Sequence, residues 1–198
     1  MTIGQQHLPA GIRFERFDAA TARDHRADVE EIFRRAYVEE IASGRAFASP
    51  EAFMTRFDAY VSPSRASGFE MVMALWDDQL AGQAWGWPLG EGTAWWGGLE
   101  LDADDNVSEF TAEDGTRTFA LSEIMVCHEF TGKGLARALH DALLQGRHER
   151  RATLLVRPGN TRAYQTYLRW GWERVGTLRP SWPDAPQFDV LIKILRTE

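Results

Sequence analysis

LSEIMVCHEFTGKGLARALHDALL, residues 121–144, decides how the rest of the chain reads. Its opening completes RTFALSEIMV (117–126), an apolar run with the residue types of a strand. Gly132 and Gly134 then break the run. After them Leu135, Ala138, Leu139, Ala142 and Leu143 recur at helical spacing, and Gly146 follows. Strand, glycine turn and helix make a unit with a chemical consequence. The first amides of a helix lack internal carbonyl partners and lie at the positive end of the aligned peptide dipoles, so they attract anions. Gly132 and Gly134 let the backbone approach a pyrophosphate where a Cβ would obstruct it. Ala136 keeps the first turn small, and Lys133 and Arg137 add positive charge. A connection that merely packs would have the same outline.

Two nucleotide motifs fail against these residues. A P-loop needs Gly-Lys followed by Ser or Thr, and Lys133 is followed by Gly134. A dinucleotide fingerprint counted from Gly132 puts Arg137 where Gly or Ala is required.

Upstream, IRFERF (12–17) alternates like an edge strand, and Ala20 to about Ile41 reads as one helix with Val29, Ile32, Phe33, Ala36 and Tyr37 inward. Ser49-Pro50-Glu51 opens a second helix with Phe53, Met54 and Phe57 inward. FEMVMALW (69–76) and QLAGQAWGW (79–87) flank Asp77-Asp78 as a hairpin. Residues 100–114 are acidic and read as a loop or a short distorted strand. Downstream, ATLLV (152–156) has the continuous apolar character of a parallel strand covered on both faces. Asn160 caps a helix with Ala163, Tyr164, Tyr167 and Leu168 inward, and WERVG (172–176) and FDVLIKIL (188–195) complete the sheet.

Composition narrows the classes. The 198 residues can bury a full core and carry no repeat or linker, so one domain over 1–198 is expected. Lys plus Arg number 22 against 29 Asp plus Glu, a formal charge of −7, which disfavours a phosphate-tracking nucleic-acid surface. The single Cys127 excludes an intramolecular disulfide and a cysteine-based metal site, and no metal is expected. The N-terminus has no signal-type apolar run, and no stretch of roughly 18 apolar residues occurs anywhere. A cytoplasmic location without membrane association is therefore expected, as a monomer or homodimer.

T-G-K-G-L-A (131–136), after I-M-V-C-H-E-F, resembles the Gln/Arg-x-x-Gly-x-Gly/Ala segment of the GNAT acyltransferase superfamily. N-T-R-A-Y-Q-T-Y-L-R-W-G-W (160–172) is similar to that family's Asn-x-x-Ala-x-x-x-Tyr-x-x-x-Gly-aromatic helix. Thr131 departs from the usual Gln or Arg, which predicts a weaker phosphate contact, and Trp172 replaces the common Phe. The resemblance implies an α/β fold with a mixed, mostly antiparallel sheet in the order β-α-α-β-β-β-α-β-α-β-β, and a splayed parallel strand pair holding coenzyme A. Its coenzyme-binding core would span about 117–176.

The same resemblance implies N-acetylation of an amine by acetyl-CoA, through direct attack on the thioester. Backbone groups of Met125, Val126 and Cys127 would pair with the pantetheine arm, and residues 131–137 (Thr131, Gly132, Lys133, Gly134, Leu135, Ala136, Arg137) would hold the pyrophosphate. Asn160, beside its cap role, Ala163 and Tyr167 complete the expected coenzyme contacts. A backbone N–H around Val126 would serve the oxyanion. Tyr167 matches the family's general acid: a phenol of pKa about 10 can protect a thiolate whose acid has a pKa of about 8.5. An attacking amine of pKa about 10.4 must also lose a proton. Glu123, a carboxylate on an apolar strand, is the candidate base, although alternation sets it with Leu121 and Met125 unless a bulge intervenes. An ion-paired or solvent-facing glutamate is the competing reading. His140 and Asp141 fall off the apolar stripe and read as solvated, His128 reads as surface, and Cys127 lacks a base that would make it a nucleophile.

For the acceptor, Trp85, Trp96 and Trp182 are the candidate contacts, with Trp87, Trp95 and Asp184 in the same family region. Aromatic walls with carboxylates suit a small cationic amine, such as an amino acid, polyamine or amino-sugar drug. Two alternatives stay open: a module that binds acyl-CoA without turnover, and acetylation of a protein or peptide.

Overall fold

The computed structural model describes residues 10–64, 67–181 and 185–195. In chain order the elements are β1 (Ile12–Asp18), α1 (Ala19–Asp24), α2 (Arg26–Ala36), α3 (Val38–Ala42), α4 (Pro50–Tyr60), β2 (Glu70–Trp76), β3 (Gln79–Pro88), β4 (Leu99–Leu101), α5 (Val107–Phe110), β5 (Thr118–Val126), α6 (Leu135–Leu144), β6 (Arg151–Val156), α7 (Thr161–Arg169), β7 (Glu173–Leu178) and β8 (Phe188–Ile194). The eight strands form one sheet in the order β1-β2-β3-β5-β6-β8-β7-β4. It is mostly antiparallel, with β5 and β6 parallel, as the family resemblance implied. The β5–β6 register runs only from Thr118↔Arg151 to Ala120↔Thr153.

The chain divides into two compact units, one of residues 1–87 and 123–146, the other of 88–122 and 147–198. In the first, α2 and α4 bury Val29, Ile32, Phe33, Phe53 and Phe57 against Met71, Met73, Trp85 and Met125, and α1 adds Ala19 and Ala22. The long helix expected from Ala20 to Ile41 is three short ones. Its hydrophobic stripe is real, but His25 (ψ 20°) and Tyr37 (ψ 38°) leave helical geometry, and periodicity carries no information about such breaks. Ser49 accepts from the amide of Ala52 at 3.1 Å and Pro50 starts α4, as its sequence dictates. Asp77 and Asp78 take φ of 47° and 62°, the left-handed pair of a two-residue hairpin turn. Gly82 is glycine for a packing reason: a Cβ there would lie 2.7 Å from the Met125 carbonyl and 3.0 Å from Leu139 Cδ1.

In the second unit, β6 lies between β5 and β8, and Phe119, Ala120, Leu154, Trp172, Val190 and Leu191 are buried. The acidic stretch 100–114 contains two ordered elements, the end of β4, which pairs with β7 through Leu99↔Leu178, and the short α5 capped by Asn106. Among the described residues no helix is long and apolar enough to cross a membrane.

Candidate active site

The turn between β5 and α6 is built from its backbone. Gly134 is the residue before α6, at φ 81°, with no side-chain cap, and Gly132 has φ 76°. The first intrahelical bond runs from the amide of Ala138 to the Gly134 carbonyl, so the amides of Leu135, Ala136 and Arg137 precede it and have no helical acceptor. This is the geometry expected of an anion cradle. A Cβ at Gly132 would meet nothing within 4 Å, so its glycine serves the backbone conformation.

The side chains around that turn are engaged. The Thr131 hydroxyl donates to the His128 carbonyl at 2.8 Å, which consumes the proton it would offer a phosphate. Lys133 Nζ donates to the Glu129 carbonyl at 3.0 Å and lies 5.0 Å from the ring centroid of Trp76 and 5.3 Å from that of Phe130. Arg137 Nε donates to Asp141 Oδ2 at 2.7 Å. Arg35 of α2 bonds Glu129 and so ties the segment before the turn to the helical layer. His140, expected in solvent, is 1% exposed, with Nδ1 2.7 Å from Asp141 Oδ1. A polar ring next to the apolar stripe is swept into the buried face because the covered arc of α6 is wider than the stripe. His128 is exposed, as expected.

Backbone polarity along β5 separates the three residues expected to meet pantetheine. The Cys127 amide donates to the Ala81 carbonyl at 2.9 Å, and its carbonyl accepts from Phe130. Both its backbone groups are used. Because peptide groups of successive strand residues face alternate sides, those of Met125 also face β3 and those of Val126 face away from it. Burial pushes the Cys127 thiol up to about 11, the Arg35 charge only partly opposing it, and Sγ lies 3.6 Å from the Leu80 carbonyl. A buried thiol of that acidity is no nucleophile near neutrality.

Side chains alternate in the opposite sense to that question. Gln83 Nε2 donates to Met125 Sδ (3.2 Å) and to the Val29 carbonyl (3.1 Å), so both residues face α2. Two residues further on the same face come Trp85 and Glu123. Trp85 is 1% exposed and packs on Phe53 and Phe57 of α4, with centroids 5.7 and 5.4 Å away. Trp85 Nε1 and Gln83 Oε1 are buried polar atoms without a partner among the described residues. Glu123 is half-buried, and its carboxyl is raised to about 7 by burial, partly opposed by the positive charge of Arg56 on α4. Among the described residues it forms no ion pair, and it remains partly exposed.

In the second unit Asn160 Oδ1 accepts from the amide of Ala163 at 3.1 Å, the expected cap, which leaves the carboxamide N–H groups for other acceptors. Tyr167 is half-buried, edge-on to Trp170 (5.6 Å) and Trp172 (6.2 Å). Trp96 is 6% exposed, and its Nε1 donates to Glu113 Oε1 at 3.1 Å. The same carboxylate oxygen accepts from Thr118 Oγ1 (2.7 Å) and Arg151 Nη2 (3.2 Å). Trp182 and Asp184 lie outside the described residues. Arg56, Gln83 and Glu113 were not singled out from sequence. Gln83, an inward polar residue in AGQAWGW, was visible by alternation, whereas Arg56 is masked by the phenylalanines on either side of it.

A family model described as acetyltransferase (GNAT) family matches residues 26–172. No protein of curated function matches the sequence. Among solved structures, the ribosomal-protein-S18-alanine N-acetyltransferase from Escherichia coli is 15% identical with a TM-score of 0.60, over 94% of this chain and 96% of that one. Aminoglycoside 6'-acetyltransferase type Ii is 14% identical with a TM-score of 0.59, over 94% and 99%. The PaiA N-acetyltransferase from Thermoplasma acidophilum, solved in complex with coenzyme A, is 12% identical with a TM-score of 0.53, over 92% and 98%. At these identities the likeness is one of fold.

Proposed function

The chain belongs to the acetyltransferase (GNAT) family, and from that premise we propose that it transfers an acetyl group from acetyl-CoA to the primary amine of a small cationic molecule. The observation that carries this reading is the uncapped start of α6 behind Gly132 and Gly134, an anion cradle made of backbone amides. The amides of residues 131–137 would take the pyrophosphate. Thr131, with its hydroxyl turned to His128, adds little to them.

In this reading Glu123 accepts the proton that the substrate ammonium loses to become the attacking amine. Its raised carboxyl is ionised in part at neutral pH and is a better base than an ordinary glutamate. The Val126 N–H, pointing away from β3, stabilises the oxyanion as the thioester carbonyl is attacked. Tyr167 gives its phenolic proton to the departing thiolate. Asn160 can offer its N–H groups to pantetheine carbonyls while its oxygen caps α7.

The test is thiol release from acetyl-CoA with a panel of amines, run beside calorimetry with coenzyme A. Amine-dependent release that Tyr167→Phe slows by about tenfold or more, with unchanged coenzyme affinity, supports the reading. Tight coenzyme binding with no amine-dependent release indicates a non-catalytic acyl-CoA module. No heat on adding coenzyme A overturns both. A preference for neutral or anionic amines removes the cationic acceptor.

A further inference from the structure

We propose that Arg35 and Lys133 are positioning residues for the coenzyme: both act through Glu129 to hold the turn between β5 and α6 in its anion-cradling shape before a pyrophosphate arrives. The inference rests on the coenzyme-binding part of the reading above and deepens it.

The turn does not choose that shape by itself. Gly132 and Gly134 take φ of 76° and 81°, but glycine populates positive and negative φ about equally. Gly134 is held from the helix side, where its carbonyl accepts the first bond of α6 from the Ala138 amide. Gly132 is held by a ring closed across it. Lys133 Nζ reaches back over Gly132 to the Glu129 carbonyl at 3.0 Å. The same ammonium lies 5.0 Å from the ring centroid of Trp76 and 5.3 Å from that of Phe130, two rings stacked on each other. Trp76 ends β2, and Phe130 packs on the hydrophobic core of this unit. One end of the ring is thus pinned to the sheet.

Arg35 pins the other end. Its Nε donates to Glu129 Oε1 at 3.0 Å, and Nη2 donates to the same oxygen. Glu31, one turn earlier on α2, accepts from Arg35 Nη1 at 2.9 Å and so aims the guanidinium. Every residue in this chain of contacts lies in the first compact unit. Glu129 is the informative member. A carboxylate beside an anion cradle repels the anion, so charge alone disfavours it there. A tether that fixes the cradle accounts for it.

A ligand that binds one shape of a turn loses affinity in proportion to the fraction of molecules holding that shape. The test measures coenzyme A affinity by calorimetry for the full chain and for Arg35→Met, Arg35→Lys, Glu129→Gln and Lys133→Met. Backbone amide NMR relaxation at Gly132 and Gly134 is followed in the coenzyme-free protein. Affinity should fall about two- to fivefold in Arg35→Met and Glu129→Gln, the worth of a partly exposed ion pair, and about tenfold in Lys133→Met. Arg35→Lys should lose less than Arg35→Met. Order parameters of about 0.85 in the wild type should drop in the three weakened variants. In turnover, Arg35→Met should raise KM for acetyl-CoA and leave the amine KM unchanged, and S-acetylpantetheine, which lacks the pyrophosphate, should serve it as well as the wild type.

Glu129→Gln is decisive because the two explanations give it opposite signs. Unchanged or tighter coenzyme binding in this variant overturns the proposal. Weaker binding with a turn as rigid as the wild type's also overturns it, since Arg35 and Lys133 would then act on the anion by charge. A wild-type chain that takes up no coenzyme A overturns the acetyl-transfer reading itself, and the positioning roles with it.

Discussion

The amide of Cys127 donates to the carbonyl of Ala81 across 2.9 Å, and this bond orients the peptide groups on either side of it. Val126 must present its N–H and C=O away from β3, and the β5–β6 register has already ended at Ala120. Proline at 126 therefore removes a donor that no described strand uses, and the extended Met125 before it tolerates proline. Val126→Pro is expected to lower kcat by about 10²–10³-fold, the usual effect of deleting one oxyanion donor. The thermal transition should move little. An unchanged kcat places the oxyanion donor elsewhere.

Glu123 sets the pH behaviour. A base works ionised, and burial has raised this carboxyl from an ordinary 4.5 to about 7. As pH falls below about 7, kcat/KM should drop tenfold per unit, and Glu123→Gln should lower the rate by about 10²–10⁴-fold and flatten that limb. Stability runs the opposite way. The folded state binds the extra proton between the ordinary value and the raised one, so this contribution is fully present below 4.5 and lost as pH rises through 7. Denaturation midpoints at pH 5 and pH 8 should therefore differ more in the wild type than in Glu123→Gln.

Much of this arrangement was legible because it depends on local rules. Ser49-Pro50 and Asn160 cap helices wherever they stand, and the Gly132–Gly134 turn needs only positive φ. Alternation likewise set Glu123 with Met125 before any coordinates. What escaped depends on distant partners. Nothing near His140 in sequence indicates that its side of α6 is covered, and Glu113 in its acidic stretch looks solvated. Its burial follows from Arg151, 38 residues away. Trp96 was read as an acceptor contact from its place in the family's acceptor region and its aromatic character, and neither signals that its indole N–H donates to a buried carboxylate.

Cys127 should be chemically silent. Its thiol is raised to about 11 and fully buried. A thiol reagent such as DTNB should label the native protein only as fast as it unfolds. Cys127→Ala should keep kcat within about twofold and cost about 1 kcal/mol of stability for the lost sulfur. Accumulation of an acetylated Cys127 during turnover would contradict direct attack on the thioester.

Gly134 carries a conformational demand where the turn enters α6. Any side chain at φ 81° is strained, and Gly134→Ala should cost about 1–3 kcal/mol of stability. Gly134→Asn tolerates the left-handed region better, so it should recover stability. It still adds a side chain beside the uncapped start of α6, and in the proposed reading its coenzyme affinity should stay weakened. Calorimetry on the two variants separates backbone strain from obstruction: equal, unweakened affinity in both would move the pyrophosphate away from this turn.

The buried Glu113–Arg151 pair makes the sharpest stability prediction. Glu113 Oε1 receives Trp96, Thr118 and Arg151, while Oε2 is buried without a partner among the described residues. Arg151 also donates to Thr118 (2.8 Å) and to the Phe110 carbonyl (2.6 Å), bridging the first register pair of the parallel strands to the segment before them. Removing one partner strands a charge in the interior. Arg151→Met should therefore cost about 3–5 kcal/mol, whereas the double change Arg151→Met with Glu113→Leu should cost less than Arg151→Met alone. Urea denaturation of the two variants measures the difference. A double variant no more stable than Arg151→Met would mean that the hydrogen bonds to Trp96 and Thr118, rather than the ion pair, hold Glu113 in place.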